Sequence, residues 1–67
     1  MQFSARNKLP GVIQDIQIHG FMAKVSVRVG DNHVVAIITA ESVAELELQV
    51  GSAVTVLIKS TSVMLAR

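Results

Sequence analysis

The chain has no cysteine, no tryptophan and no tyrosine, only two phenylalanines, and a single proline at position 10. Without cysteine there are no disulfides, thiolate metal sites, redox pairs or cysteine nucleophiles, and such a chain fits a cytoplasmic compartment. With so few aromatic rings there is little on which nucleotide bases could stack, which argues against single-stranded nucleic acid as a ligand. Long apolar runs are missing as well. The longest, Val34 to Ile38, has five residues, far below the ~20 of a membrane span, and no basic-then-apolar signal sequence opens the chain. An excess of either charge is lacking too: six basic against five acidic residues give +1, too little for a general polyanion binder.

What is present is apolar aliphatic surface. Hydrophobic residues make up 51% of the 67, and the mean hydropathy is +0.54. Residues 1–67 suffice for one small domain, and a domain of this size buries only roughly 60% of its unfolded surface. A lone copy would be marginally stable, so the surplus apolar surface points to a homo-oligomer. The charges are unevenly spread. Glu41, Glu45 and Glu47 share one segment; without residues 40–48 the remainder carries six basic and two acidic residues, or +4.

Periodicity divides the chain into short strands and one helix. Phe21 to Val29 alternates, with Phe21, Ala23, Val25, Val27 and Val29 on one face and Met22, Lys24, Ser26 and Arg28 on the other, the pattern of a half-buried strand. Gly30-Asp31-Asn32 then predicts a hairpin into His33–Ile38. That second arm is apolar on both faces, so one face is expected to meet a partner subunit. Gly11–Ile18 reads as a strand that Pro10-Gly11 introduces as a turn or edge and His19-Gly20 ends. Met1–Arg6 is expected as a first strand. Thr39 can cap a helix carrying Ala40, Val43 and Leu46 on one side, with Ser42 and Glu45 as an alternative capping box. Glu41 and Glu45 suit its first turns, and Val50-Gly51 is expected to end it. Ser52–Ile58 and a short Val63–Leu65 complete five or six strands, an all-β Greek-key barrel of OB type with one short helix.

Few residues suggest chemistry. His19 and His33 lack a second ligand at metal-binding spacing. Asp15 and Asp31 could complete a Ser/His/Asp set on paper, but no nucleophile elbow accompanies them. Three polar islands remain: Ser4-Ala5-Arg6-Asn7-Lys8, Thr39-Ala40-Glu41-Ser42 and Lys59-Ser60-Thr61-Ser62. Each has a plain reading, as an exposed strand end, a helix cap and a solvated turn. Together they hold the components of an anion pocket: cations, hydroxyls and amides at a helix start.

Three segments, SARNKLPG (4–11), AIITAESVAELEL (36–48) and VGSAVTVLIKSTSVML (50–65), resemble the molbindin (Mop) family of molybdate-binding modules, in order and over nearly the whole chain. Residues 12–35 carry little beyond strand pattern. The resemblance implies an OB-like barrel with strands shared between subunits, assembled as a hexamer (a trimer of dimers), with molybdate or tungstate at subunit interfaces. It also implies that Ser4, Arg6, Thr39, Ser42, Lys59 and Ser60 contact the anion. Asn7 is a weaker candidate, and Thr61 and Ser62 would serve an additional site on a symmetry axis. Many relatives have alanine at the position of Ser60, which shifts weight there to the backbone N–H.

Molybdate at neutral pH is a tetrahedral dianion with four acceptor oxygens and nothing to donate, so its pocket must offer donors only. That matches the islands. The expected function is intracellular oxyanion storage or homeostasis by a non-enzymatic protein, with no cofactor and no direct cation ligands. The rival is an OB-type nucleic-acid or protein-interaction module without an anion site.

Overall fold

The computed structural model describes residues 6–67. Four strands, β1 (Asn7–His19), β2 (Met22–Val29), β3 (Asn32–Thr39) and β4 (Ala53–Ile58), form one sheet with the order β3-β2-β1-β4. All neighbours are antiparallel. Three consecutive strands with a fourth returning beside the first make a Greek key. A short helix, α1 (Ala40–Glu45), follows β3, and a 3-10 turn spans Ser60–Ser62.

β1 is longer than the expected Gly11–Ile18, because Pro10-Gly11 marks a strand edge and not a turn. Both residues pair with β4, Pro10 with Thr55 and Gly11 with Val54, whereas pairing with β2 starts only at Val12. Pro10 therefore lies where β1 has a strand on one side, a position that tolerates its missing N–H. Gly11 answers a different need. A Cβ there would lie 2.7 Å from the Arg28 carbonyl oxygen and 2.7 Å from Val27 Cγ1.

Further along β1 the register slips between Ile13 and Asp15. The extra residue, Gln14, makes a bulge that reverses which face successive side chains address. Odd positions Leu9, Gly11 and Ile13 point inward before it; even positions Ile16 and Ile18 share that face after it, paired with Val25 and Ala23. Both hairpin loops are two residues long, Gly20-Phe21 and Gly30-Asp31, with the glycine at φ 61° and 60°. A left-handed first residue is the pattern of a type II′ loop, whose twist matches that of paired strands. Phe21 is thereby removed from the inward row that alternation assigned it. It sits on the loop, 91% exposed.

The inward row of β2 behaves as its pattern requires. Ala23, Val25 and Val27 are buried with Ile13 and Val43, and those five form the whole core among the described residues. At six residues α1 is too short to persist alone, so Val43 holds it by packing. The helix also stops earlier than Val50-Gly51. Leu48 N–H donates to the Val43 carbonyl (3.0 Å), Glu47 N–H donates to that of Ala44 (3.1 Å), and Glu47 takes φ 53°. This is a Schellman closure with a non-glycine residue in the left-handed position. The Gln49–Ser52 turn then returns the chain to β4.

One expected strand lies almost wholly outside the described residues, and another differs. Residues 1–5 of the proposed first strand lie outside the described residues, and Arg6 is irregular. Val63–Leu65 is not a strand: the 3-10 turn redirects the chain, and the segment finds no neighbour among the described residues to pair with. Met64 and Leu65 are 92% and 95% exposed. β3 matches its two-sided pattern, with Val34, Ala36 and Ile38 half-buried and Val35 and Ile37 exposed. The chain exposes 5552 Å² in all, against about 4,100 Å² for a compact folded monomer of this mass.

Gly11→Ala should therefore lower stability by about 1–3 kcal/mol, since the added carbon meets backbone that must move. Thermal unfolding is the check: a melting temperature equal to that of the wild type would contradict the close approach.

Candidate functional site

The polar islands separate into two groups at opposite ends of β1. The first lies where β1 meets β4. Asn7 pairs with Ile58 as the last rung of that ladder, so Arg6 and Lys59, one step further on each strand, bring two exposed cations to the same end of the sheet. Like charges on neighbouring strands repel, and an anion between them would relieve this. Asn7 Nδ2 donates to the Ile58 carbonyl (3.1 Å), so part of its donor capacity closes the ladder. Beyond Lys59 the Ser62 N–H donates to the Lys59 carbonyl (2.8 Å). This winds Ser60, Thr61 and Ser62 into an exposed turn beside the two cations. Ser4 falls outside the described residues.

The second group lies where β3 runs into α1. Thr39 Oγ1 accepts the Ser42 N–H at 3.0 Å, and its own O–H donates to Ser42 Oγ at 2.7 Å. The Ala40 N–H donates to the Phe21 carbonyl at 2.8 Å. Several helix-start donors are thus used within the chain, which narrows the expectation that they are free. Ser42 gains from the arrangement, because an Oγ that already accepts from Thr39 directs its own proton elsewhere.

A single sheet does not bring these groups together. Thr39 pairs with Met22, and Met22 with His19. His19 and Asn7 are the opposite ends of the 13-residue strand β1. The two cavities agree with this separation. One, about 470 Å³, is lined by Pro10, Gly11, Val12, Gln14, Arg28 and Gly30. The other, about 290 Å³, is apolar and opens between β3 and β4, with Ile13, Val25, Ala36, Ile38, Leu48 and Val56 in its wall. Among the described residues, neither is lined by an expected anion contact.

Cation chemistry finds little here. Among the described residues no three of His, Cys, Asp or Glu gather as a metal site; His19 stands opposite Met22 and His33 opposite Arg28. The sequence reading passed over Lys24. Alternation places it on the outer face, but its closeness to Thr39 follows from strand register, which no short motif displays.

A Greek-key sheet of this size, capped by one short helix and carrying its donors at the sheet ends, defines a small OB-like module. The TOBE domain model matches residues 4–65. A molybdate-binding protein from Sporomusa ovata superposes with a TM-score of 0.95 at 37% identity, covering 100% of both chains. Molybdenum-pterin-binding protein 1 of Clostridium pasteurianum is 38% identical over 97% of each chain. Molybdenum transport protein ModE of Azotobacter vinelandii is 39% identical, and there the chain spans 97% of its own length but only 24% of the relative's. The chain belongs to the TOBE-domain family and, within it, to the molbindin (Mop) group.

The Thr39 geometry predicts that Thr39→Ala, which removes the cap, costs about 1 kcal/mol. For a domain this small that is a fall of roughly 4–8 °C in melting temperature. Thr39→Ser should retain most of the stability. Equal unfolding curves for wild type and the alanine variant would show that the cap contributes nothing.

Proposed function

We propose that the protein binds molybdate or tungstate without turning it over, as a cytoplasmic store or buffer, at sites completed between copies of the chain. The observation carrying this reading is that Arg6 and Lys59 occupy one end of the sheet while Thr39 and Ser42 occupy the other, in a fold shared with a molybdate-binding protein. A tetrahedral anion needs donors on several sides. One copy supplies two partial walls that cannot face each other, whereas two copies packed with opposite ends together can.

In such a pocket Arg6 and Lys59 supply charge, Ser42 its outward hydroxyl proton, and Ser60 a hydroxyl or amide. Thr39 orients Ser42, and Ser4 and the remaining amide capacity of Asn7 complete the shell. Charge-assisted bonds contribute about 1.5–3 kcal/mol each and neutral ones about 1. Sulfate has the same charge and acceptor pattern, so discrimination against it falls to cavity size. Thr61 and Ser62, exposed on the turn beside Lys59, suit a second site on a symmetry axis. Assembly as a hexamer, with strands shared between subunits, is supported by the surplus accessible area and by the exposed apolar residues Val35, Ile37, Met64 and Leu65. No helix among the described residues is long and apolar enough to cross a membrane.

Calorimetric titration with molybdate and with tungstate, in excess sulfate, should show saturable binding, weakened roughly ten- to a hundredfold by Lys59→Ala. No heat of binding for either oxyanion would sink the proposal. Light scattering should give about six times the 7.2 kDa chain mass. A stable monomer would remove the interface site even if the fold were intact.

A further inference from the structure

The Thr39–Ser42 wall contains no cation among the motif residues, and α1 adds a carboxylate, Glu41, in its first turn. A dianion meeting that wall alone would find hydroxyls and an opposing charge. The sheet register changes this picture. Thr39, Met22 and His19 form one row across β3, β2 and β1, and Ile37, Lys24 and Gln17 form the next. By alternation all six address the outer face.

Lys24 is thus the diagonal neighbour of both Thr39 and His19, at about 7–8 Å between backbones, within reach of a four-carbon side chain. It is exposed, and its direct cross-strand partners are the apolar Ile37 and the amide Gln17. Asp15, the acid on that face, is a diagonal neighbour of Lys24 on the side away from Thr39, and its Oδ2 accepts a hydrogen bond from Gln17 Nε2 at 3.0 Å. Toward Thr39 the two rows hold no acid, and Lys24 is the ammonium they bring to the hydroxyl pair, where it would offset Glu41.

We propose that Lys24 is an anion-binding residue of the Thr39–Ser42 wall, supplying the positive charge of that half of the oxyanion pocket as Arg6 and Lys59 supply it for the other. The assignment rests on the interface reading given above. It makes each half of the pocket cationic, so charge neutralisation of the dianion is shared by both copies.

The test compares wild type, Lys24→Gln and Lys24→Arg by molybdate titration at low and moderate salt, with light scattering on each. The expected result is a loss of affinity of roughly tenfold or more for the glutamine variant, near-complete recovery with arginine, a shallower salt dependence for the glutamine variant, and unchanged assembly. A smaller loss, or a loss that accompanies dissociation of the oligomer, overturns the assignment while the pocket itself stands. If wild type binds no molybdate, the interface reading falls and Lys24 with it; binding by wild type with Lys24→Gln indistinguishable removes Lys24 alone.

Discussion

The structure depends on how Ile13 is held. Its side chain is 1% exposed, its Cα faces Val27 on β2, and its backbone exchanges two hydrogen bonds with the returning chain: Ile13 N–H to the Ser52 carbonyl (3.0 Å) and Gly51 N–H to the Ile13 carbonyl (2.8 Å). The bulge begins at the same point. Ile13 is where a strand serving β4 becomes a strand serving β2, and the change of face through Gln14 keeps apolar residues inward on both sides of it. Had the strand run on without the bulge, Ile16 and Ile18 would face solvent while Asp15 and Gln17 faced the core.

A long strand shared between two neighbours keeps the sheet open. Asn7–Gly11 pair only with β4, Val12 with both neighbours, and from Ile13 onward the ladder joins β1 only to β2. Five buried side chains are a small core for the described residues 6–67, and the apolar opening between β3 and β4 leaves more surface wet than a compact domain would. The polar groups are distributed by the same constraint, with Arg6, Lys59 and the Ser60–Ser62 turn at the start of β1 and the Thr39–Ser42 pair beyond its end. Openness and divided chemistry thus have one cause, and the proposed association of copies would address both.

Much of this was legible in the sequence because strand alternation and turn residues act locally. The β2–β3 hairpin, the inward row Ala23-Val25-Val27, the two apolar faces of β3 and the Thr39 cap all follow from residues within a few positions of one another. What escaped was set by contacts distant in sequence. Pro10-Gly11 left turn and edge both open, and the pairing with β4 and the approach of Arg28 and Val27 fix it as strand. Phe21 continues an alternating row, but the hairpin loop needs two residues and takes it as the second. Glu47 gave no sign of a helix end, because a Schellman closure normally advertises itself with glycine. Val63–Leu65 has strand composition but no partner among the described residues, and composition carries no information about partners.

For the candidate site, the plain and functional readings of Thr39 and Ser42 need not compete. A threonine that caps a helix normally accepts one amide and leaves its proton to water. Here the proton goes to Ser42 Oγ, so a local stabilising contact also sets the direction of a neighbouring donor. The cost of orienting Ser42 is met during folding rather than on ligand binding, the general advantage of a preorganised site. Arg6 and Lys59 lack such fixing: both are exposed at the end of a ladder, and binding of the proposed anion would cost their side-chain freedom. In the proposed pocket the two walls would contribute differently, one mostly direction and the other mostly charge. That asymmetry is why the charge of Lys24 beside the directed hydroxyl would matter more than the same charge placed elsewhere on the outer face.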